Sequence, residues 1–220
     1  MSFPTKTVCW LIVLSLSSAM ASPLHAQKVY VNSIDRFYEI SVTAGNCTTR
    51  DMGNFCVSDY GGVIFSSAVH NGNLYFISGQ SNNLYRAALN QPGSCTLLTS
   101  FPPILPFGGP TTINSMTVDR NGIIYAADYN SRTIYSYDPG SNQKIVLGQL
   151  PVSPAGDLMF YQNKLIYAAN GNRLYEVNLS NPSASQLYMN TAPYEFYGII
   201  SFPSDCNKNK VYVSHPVVIW

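Results

Sequence analysis

Nucleophilic catalysis needs a base beside the nucleophile. The sequence of 220 residues holds three histidines, of which only His70 and His215 follow the leading segment. His70 opens an Asn-Gly turn (HNGN, 70–73), and His215 stands just before Pro216, so both read as turn or loop residues. No G-x-S-x-G, H-E-x-x-H or phosphate-cradling glycine motif is present. Triad chemistry has no foothold here.

The cysteines are the other reactive set. Cys9 lies in the leading segment, leaving Cys47, Cys56, Cys95 and Cys206, an even number that suggests disulfides in an exported chain. Cys47 and Cys95 hold equivalent places, 9 and 10 residues after Tyr38 and Tyr85. Cys47 and Cys56 are near enough in sequence to bridge across a hairpin or loop, and that is the disulfide expected. Cys95 and Cys206 fall in different units and either stay free or find other partners. There is no Cys-x-x-Cys and no histidine near any of them, which leaves zinc little to bind.

The elements that must position these groups are legible in repeats. An apolar-Tyr pair returns in KVYV (28–31), NLYF (73–76), IIYA (123–126), LIYA (165–168) and KVYV (210–213). The tyrosines are Tyr30, Tyr75, Tyr125, Tyr167 and Tyr212, at intervals of 45, 50, 42 and 45. A second tyrosine strand trails most of them, as in FYEISV (37–42), LYRAAL (84–89), IYSYD (134–138) and LYEVN (174–178). Extended pieces precede several: VIFSSAV (63–69), NSMTVD (114–119), DLMFY (157–161) and YGIISF (197–202). Asn121-Gly122 and Pro139-Gly140 are hairpin signals, because glycine accepts the positive φ such turns need. Helical periodicity is absent. Four short antiparallel strands repeated every 42–50 residues predict an all-β propeller of four-stranded blades, each covering the next, with tyrosine rings between them.

The stretch SMTVDRNGIIYAADYNSRTIYSYD (115–138) resembles an NHL repeat of the gluconolactonase-like (SMP-30) propellers, and LIYAANGNRLYEVN (165–178) is similar, with Asn170 where the first has Asp128. The chain also resembles propeller regions at the N-termini of large secreted bacterial surface proteins. In the gluconolactonase-like group a divalent metal sits at the channel mouth on carboxylate and amide oxygens suited to calcium. Carried onto this sequence, the resemblance implies Asn114, Asp128, Asp157 and Asn170 as ligands and, with calcium bound, a metal-dependent lactone hydrolase as the alternative function. The simpler reading is that Asp and Asn at strand ends form Asx turns.

Strand counting predicts about four blades. Units at 60–102, 113–151 and 156–190 carry four strands each. Residues 28–57 supply a second, third and fourth strand, and 197–220 a first and second, with VVIW starting a third. The expectation is an incomplete ring belonging to a longer protein, with a blade edge free to associate. FPPILPFGGP (101–110), stiffened by prolines, reads as a plug over a blade edge or as a contact loop.

Composition narrows the function. Charged residues make up 10% of the chain against roughly 25% in a typical domain, while 20 Asn, 16 Tyr and 15 Gly build the surface and turns. Residues 1–26 form a signal peptide, with Lys6 ahead of the apolar run Val8–Leu16 and cleavage after Ala21 or Ala26. That run falls short of the ~20 residues of a membrane span, and no later segment is apolar enough. The remainder, 27–220, carries equal numbers of basic and acidic side chains, which excludes nucleic acid as partner. The sequence thus predicts a non-catalytic binding or scaffold module without cofactor, secreted, periplasmic or at the cell surface, with a protein or glycan as ligand.

Overall fold

Short apolar-Tyr runs bounded by Asn, Gly and Pro make antiparallel meanders, because each turn reverses the chain within a few residues. The computed structural model describes residues 27–33, 35–43, 46–57, 64–79, 81–101, 113–170, 172–190, 198–200 and 212–214. Residues 1–26, read above as a signal peptide, lie outside them, as do Cys206, His215, residues 102–110 of the proline-rich loop and VVIW.

Five sheets form in chain order. The first is three-stranded: β1 (Gln27–Asn32), β2 (Arg36–Thr43) and β3 (Asn46–Asn54). The next three are four-stranded. They comprise β4 (Ile64–His70), β5 (Asn73–Ser78), β6 (Asn83–Ala88) and β7 (Gln91–Ser100), then β8 (Ile113–Val118), β9 (Ile124–Asp128), β10 (Thr133–Asp138) and β11 (Gln143–Gln149). The third of them holds β12 (Pro154–Tyr161), β13 (Lys164–Ala169), β14 (Arg173–Glu176) and β15 (Gln186–Asn190). Last come β16 (Gly198–Ile200) and β17 (Tyr212–Ser214). Every pairing is antiparallel between consecutive strands, and one 3-10 turn (Pro182–Ala184) is the helical content of the described residues. This is the propeller architecture of about four blades that the repeats predict.

The first strand of each sheet packs on the first strand of the next, β4 on β8, β8 on β12 and β12 on β16. Cores therefore lie between blades. Tyr75, Ile77, Leu84 and Phe101 of the second sheet bury against Ile113, Met116, Ile124 and Tyr135 of the third. Ala127, Ile134 and Leu150 of the third bury against Leu158, Leu165 and Tyr167 of the fourth. Phe37 and Phe55 meet Phe76 on the other side. Each such side chain, fully buried, is worth about 1.5–3 kcal/mol. The repeated tyrosines do pack between blades, as Tyr125 shows by meeting Phe160 edge-on at 5.5 Å.

The turns follow from local chemistry. Asn71 (φ 46°) and Gly72 (φ 73°) join β4 to β5 as a two-residue turn with both φ positive, and Gln162 (49°) and Asn163 (63°) do the same between β12 and β13. At 139–142 the left-handed residue is Asn142 (56°) rather than Gly140, whose N–H instead bonds the Asp138 carboxylate at 2.8 Å.

One expected pairing is overturned. Cys56 bonds Cys95, not Cys47. Cys47 lies near the start of β3, opposite Val42, and Cys56 follows the far end of the strand. Nine extended residues separate them by about 30 Å, beyond disulfide reach. Cys95 lies on β7, which packs beside β3, and the Cys56 N–H bonds the Pro92 carbonyl at 3.1 Å. The disulfide thus ties the first blade to the outer strand of the second.

Candidate functional site at the axial mouth

The first strands line the axis, and those of the three four-stranded sheets carry a register shift near their start: between Ile64 and Ser66 on β4, Ile113 and Ser115 on β8, and Pro154 and Leu158 on β12. A bulge re-aims the side chains beside it. Here it delivers Ser66, Ser115 and Asp157 to equivalent places on three successive inner strands. Ile64 pairs Ser78, Ile113 pairs Asp128 and Pro154 pairs Ala169, so all three lie at the end where second-to-third-strand turns emerge.

The Ser66 hydroxyl donates to Asp157 Oδ1 at 2.6 Å. These residues belong to the second and fourth sheets, with a whole blade between them, so the bond crosses the axis and shows how tightly the inner strands converge. Ser115 donates to the Gly156 carbonyl and to Asn114 Oδ1, while Asn114 Nδ2 donates to the Pro154 carbonyl at 3.1 Å. Among the described residues the lining is made of hydroxyls, amides and backbone, with one carboxylate, Asp157. Burial pushes the Asp157 carboxyl up to about 7, against which the Ser66 hydroxyl pulls down. No charged side chain contributes to that shift.

The mouth also carries exposed rings. Phe65, the bulged residue of β4, is 42% exposed, and its ring lies over Gly79 at the end of β5. Tyr129, in the β9–β10 turn, is 37% exposed, and its hydroxyl receives the Asn170 amide at 3.1 Å. Arg132, in the same turn, donates to the Pro151 carbonyl at 3.0 Å.

The four oxygen ligands implied by the resemblance separate into two pairs. Asn114 and Asp157 stand on neighbouring inner strands at the mouth. Asp128 and Asn170 act in turns: Asp128 Oδ1 accepts from the Ser131 N–H at 2.7 Å and from its hydroxyl at 3.0 Å, and Asn170 holds Tyr129. Among the described residues, no three of His, Cys, Asp or Glu form a group that could hold a metal ion. His70 is the last residue of β4, at the opposite end, where it pairs Asn73 across the turn and hydrogen-bonds Asn71 at 2.9 Å. Sequence reasoning missed Ser66, Ser115, Phe65 and Tyr129. Aligning the inner strands IFSS, INSM and PAGD would have brought Ser66, Ser115 and Asp157 near one another, but not across an axis.

Comparison with solved structures agrees with the fold. A chain of the nidogen/laminin complex superposes with TM-score 0.55 at 15% identity, over 85% of this chain and 72% of that one. The fold is a β-propeller. The luciferin-regenerating enzyme follows at TM-score 0.54 and 12% identity, over 82% and 63% of the two chains. Virginiamycin B lyase from Staphylococcus aureus gives 0.53 and 13%, over 79% and 56%. At such identities the likeness extends to the fold alone, and this chain spans less than two thirds of the latter two. No family model matches the sequence, and no curated protein sequence does.

Proposed function

We propose that this chain is an exported, non-catalytic propeller module that binds a protein or glycan partner at the axial mouth. The observation that carries the reading is the pair of exposed aromatic rings there, each with a defined support: Phe65 over Gly79, and Tyr129 on the Asn170 amide. Flat apolar rings beside amide and hydroxyl groups suit both partner classes, since the ring supplies area at little entropic cost and the polar neighbours supply direction. Export is supported by the Cys56–Cys95 disulfide, which belongs to oxidising compartments, and by the leader sequence. No helix among the described residues is long and apolar enough to cross a membrane.

Screening the protein against a glycan array and a displayed peptide library, with the double variant F65A/Y129A beside it, tests this. The expected result is a ligand class whose binding falls tenfold or more in the double variant while its Tm stays near that of the parent. Ligands that bind both equally, or no ligand from either library, would overturn the assignment.

A further inference from the structure

We propose that Asp157 anchors a primary ammonium group of the ligand, as on a lysine side chain, at the floor of the axial mouth. The proposal rests on the reading of the mouth as a binding site and adds the chemistry of what enters it.

The argument is one of uncompensated charge. A carboxylate accepts about four hydrogen bonds, and among the described residues Asp157 has one side-chain donor, Ser66. Taking such a group out of water is costly unless it is paired. Among the described residues the surrounding strands bring it no unpaired cation, and the arginines at this end are engaged elsewhere, Arg132 with the Pro151 carbonyl and Arg173 of β14 with the Asn170 carbonyl. β8 carries no ionisable side chain, and neither does β16. On β9 the ionisable groups are Tyr125 and Asp128, neither of them positive at neutral pH. On β13 they are Tyr167, whose hydroxyl donates to the Val152 carbonyl, and Lys164, which is paired with Glu176 at 2.7 Å and stands opposite Tyr161 at the far end of β12. On β4 there is His70, at the strand's other end. The nearby polar residues, Ser66, Asn114 and Ser115, are neutral.

This arrangement selects sign and shape. An anion would be repelled by the carboxylate, and a neutral sugar would leave the carboxylate's charge unbalanced. An ammonium brings a full charge and three donors on a slender stem, which suits a carboxylate lodged among inner strands that close to within hydrogen-bond distance. Phe65, next in the chain to Ser66, offers its exposed ring at the same mouth, a surface on which an aliphatic stem can lie.

The probe is Nα-acetyl-lysine methylamide, with the norleucine analogue as isosteric control, titrated into the full protein at pH 8 and followed by the Asp157 side-chain carbon resonance and by calorimetry. The expected result is saturable binding of the lysine probe, at least tenfold tighter than norleucine, with the Asp157 resonance moving. In D157N, which retains an oxygen for Ser66, the preference for lysine should disappear. Equal binding of the two probes, a motionless Asp157 resonance, or an undiminished lysine preference in D157N would overturn it. The resonance measurement on the unaltered protein decides the matter even if D157N does not fold. Loss of screened ligands in F65A/Y129A with no lysine preference in the parent sinks this inference alone, whereas ligands indifferent to F65A/Y129A sink the mouth as well.

Discussion

Phe65 occupies the place a side chain on Gly79 would need. A Cβ built at Gly79 stands 2.6 Å from two ring carbons of Phe65 and 2.9 Å from a third, so the ring lies against bare backbone. G79A must push the ring away. Because Phe65 is 42% exposed and can swing into solvent, stability should fall by less than about 1 kcal/mol. Affinity for a mouth ligand should fall tenfold or more, about 1.4 kcal/mol. Tm and affinity measured on the same preparation check this, and unchanged affinity would remove Phe65 from the site.

Asp157 makes stability depend on pH in an unusual direction. The folded carboxyl holds its proton up to about pH 7, whereas the unfolded residue loses it near about 4. Between those values the folded state binds more protons, so the contribution is full below about pH 4 and is lost as pH rises through about 7. D157N should flatten that slope and exceed the parent in stability at pH 8 by about 1–2 kcal/mol, a figure kept below the full shift because Asp157 as a residue is only partly buried. Denaturant midpoints across pH 4–8 measure both.

The Cys56–Cys95 bridge closes a loop across a sequence separation of 39, and removing it should cost about 2–4 kcal/mol. Peptide mapping under non-reducing conditions should recover Cys56 linked to Cys95. A Cys47–Cys56 peptide in its place would contradict the strand register that holds those two apart.

Gly148 is the fourth strand's answer to a bulge. It pairs Ile134 where the register shifts before Tyr135, has φ 145°, and a Cβ there would meet Pro182 Cδ of the next blade at 3.2 Å. G148A combines backbone strain with a crowded blade junction, so a loss of about 1–3 kcal/mol is expected. Urea unfolding provides the check, and a neutral result would mean that β11 can shift its register freely.

The amino-acid order determined the strands and their grouping by itself. The alternation around Tyr75, Tyr125 and Tyr167 is local, as are turn preferences such as Asn71-Gly72, and both are written in neighbouring residues. The division into three complete sheets with partial ones at either side was legible for the same reason. Tertiary structure alone decided which residues meet across the axis and between blades. Ser66 and Asp157 are 91 positions apart and touch because bulges turn them inward, and Cys95 reaches Cys56 because β7 lies beside β3. Bulges depend on pairing with a neighbour and cannot be read from one strand. The repeat also hid how equivalent positions differ: Asp128 and Asn170 share a repeat position, yet Asp128 accepts from Ser131 in its own turn while Asn170 reaches Tyr129 of the adjoining blade.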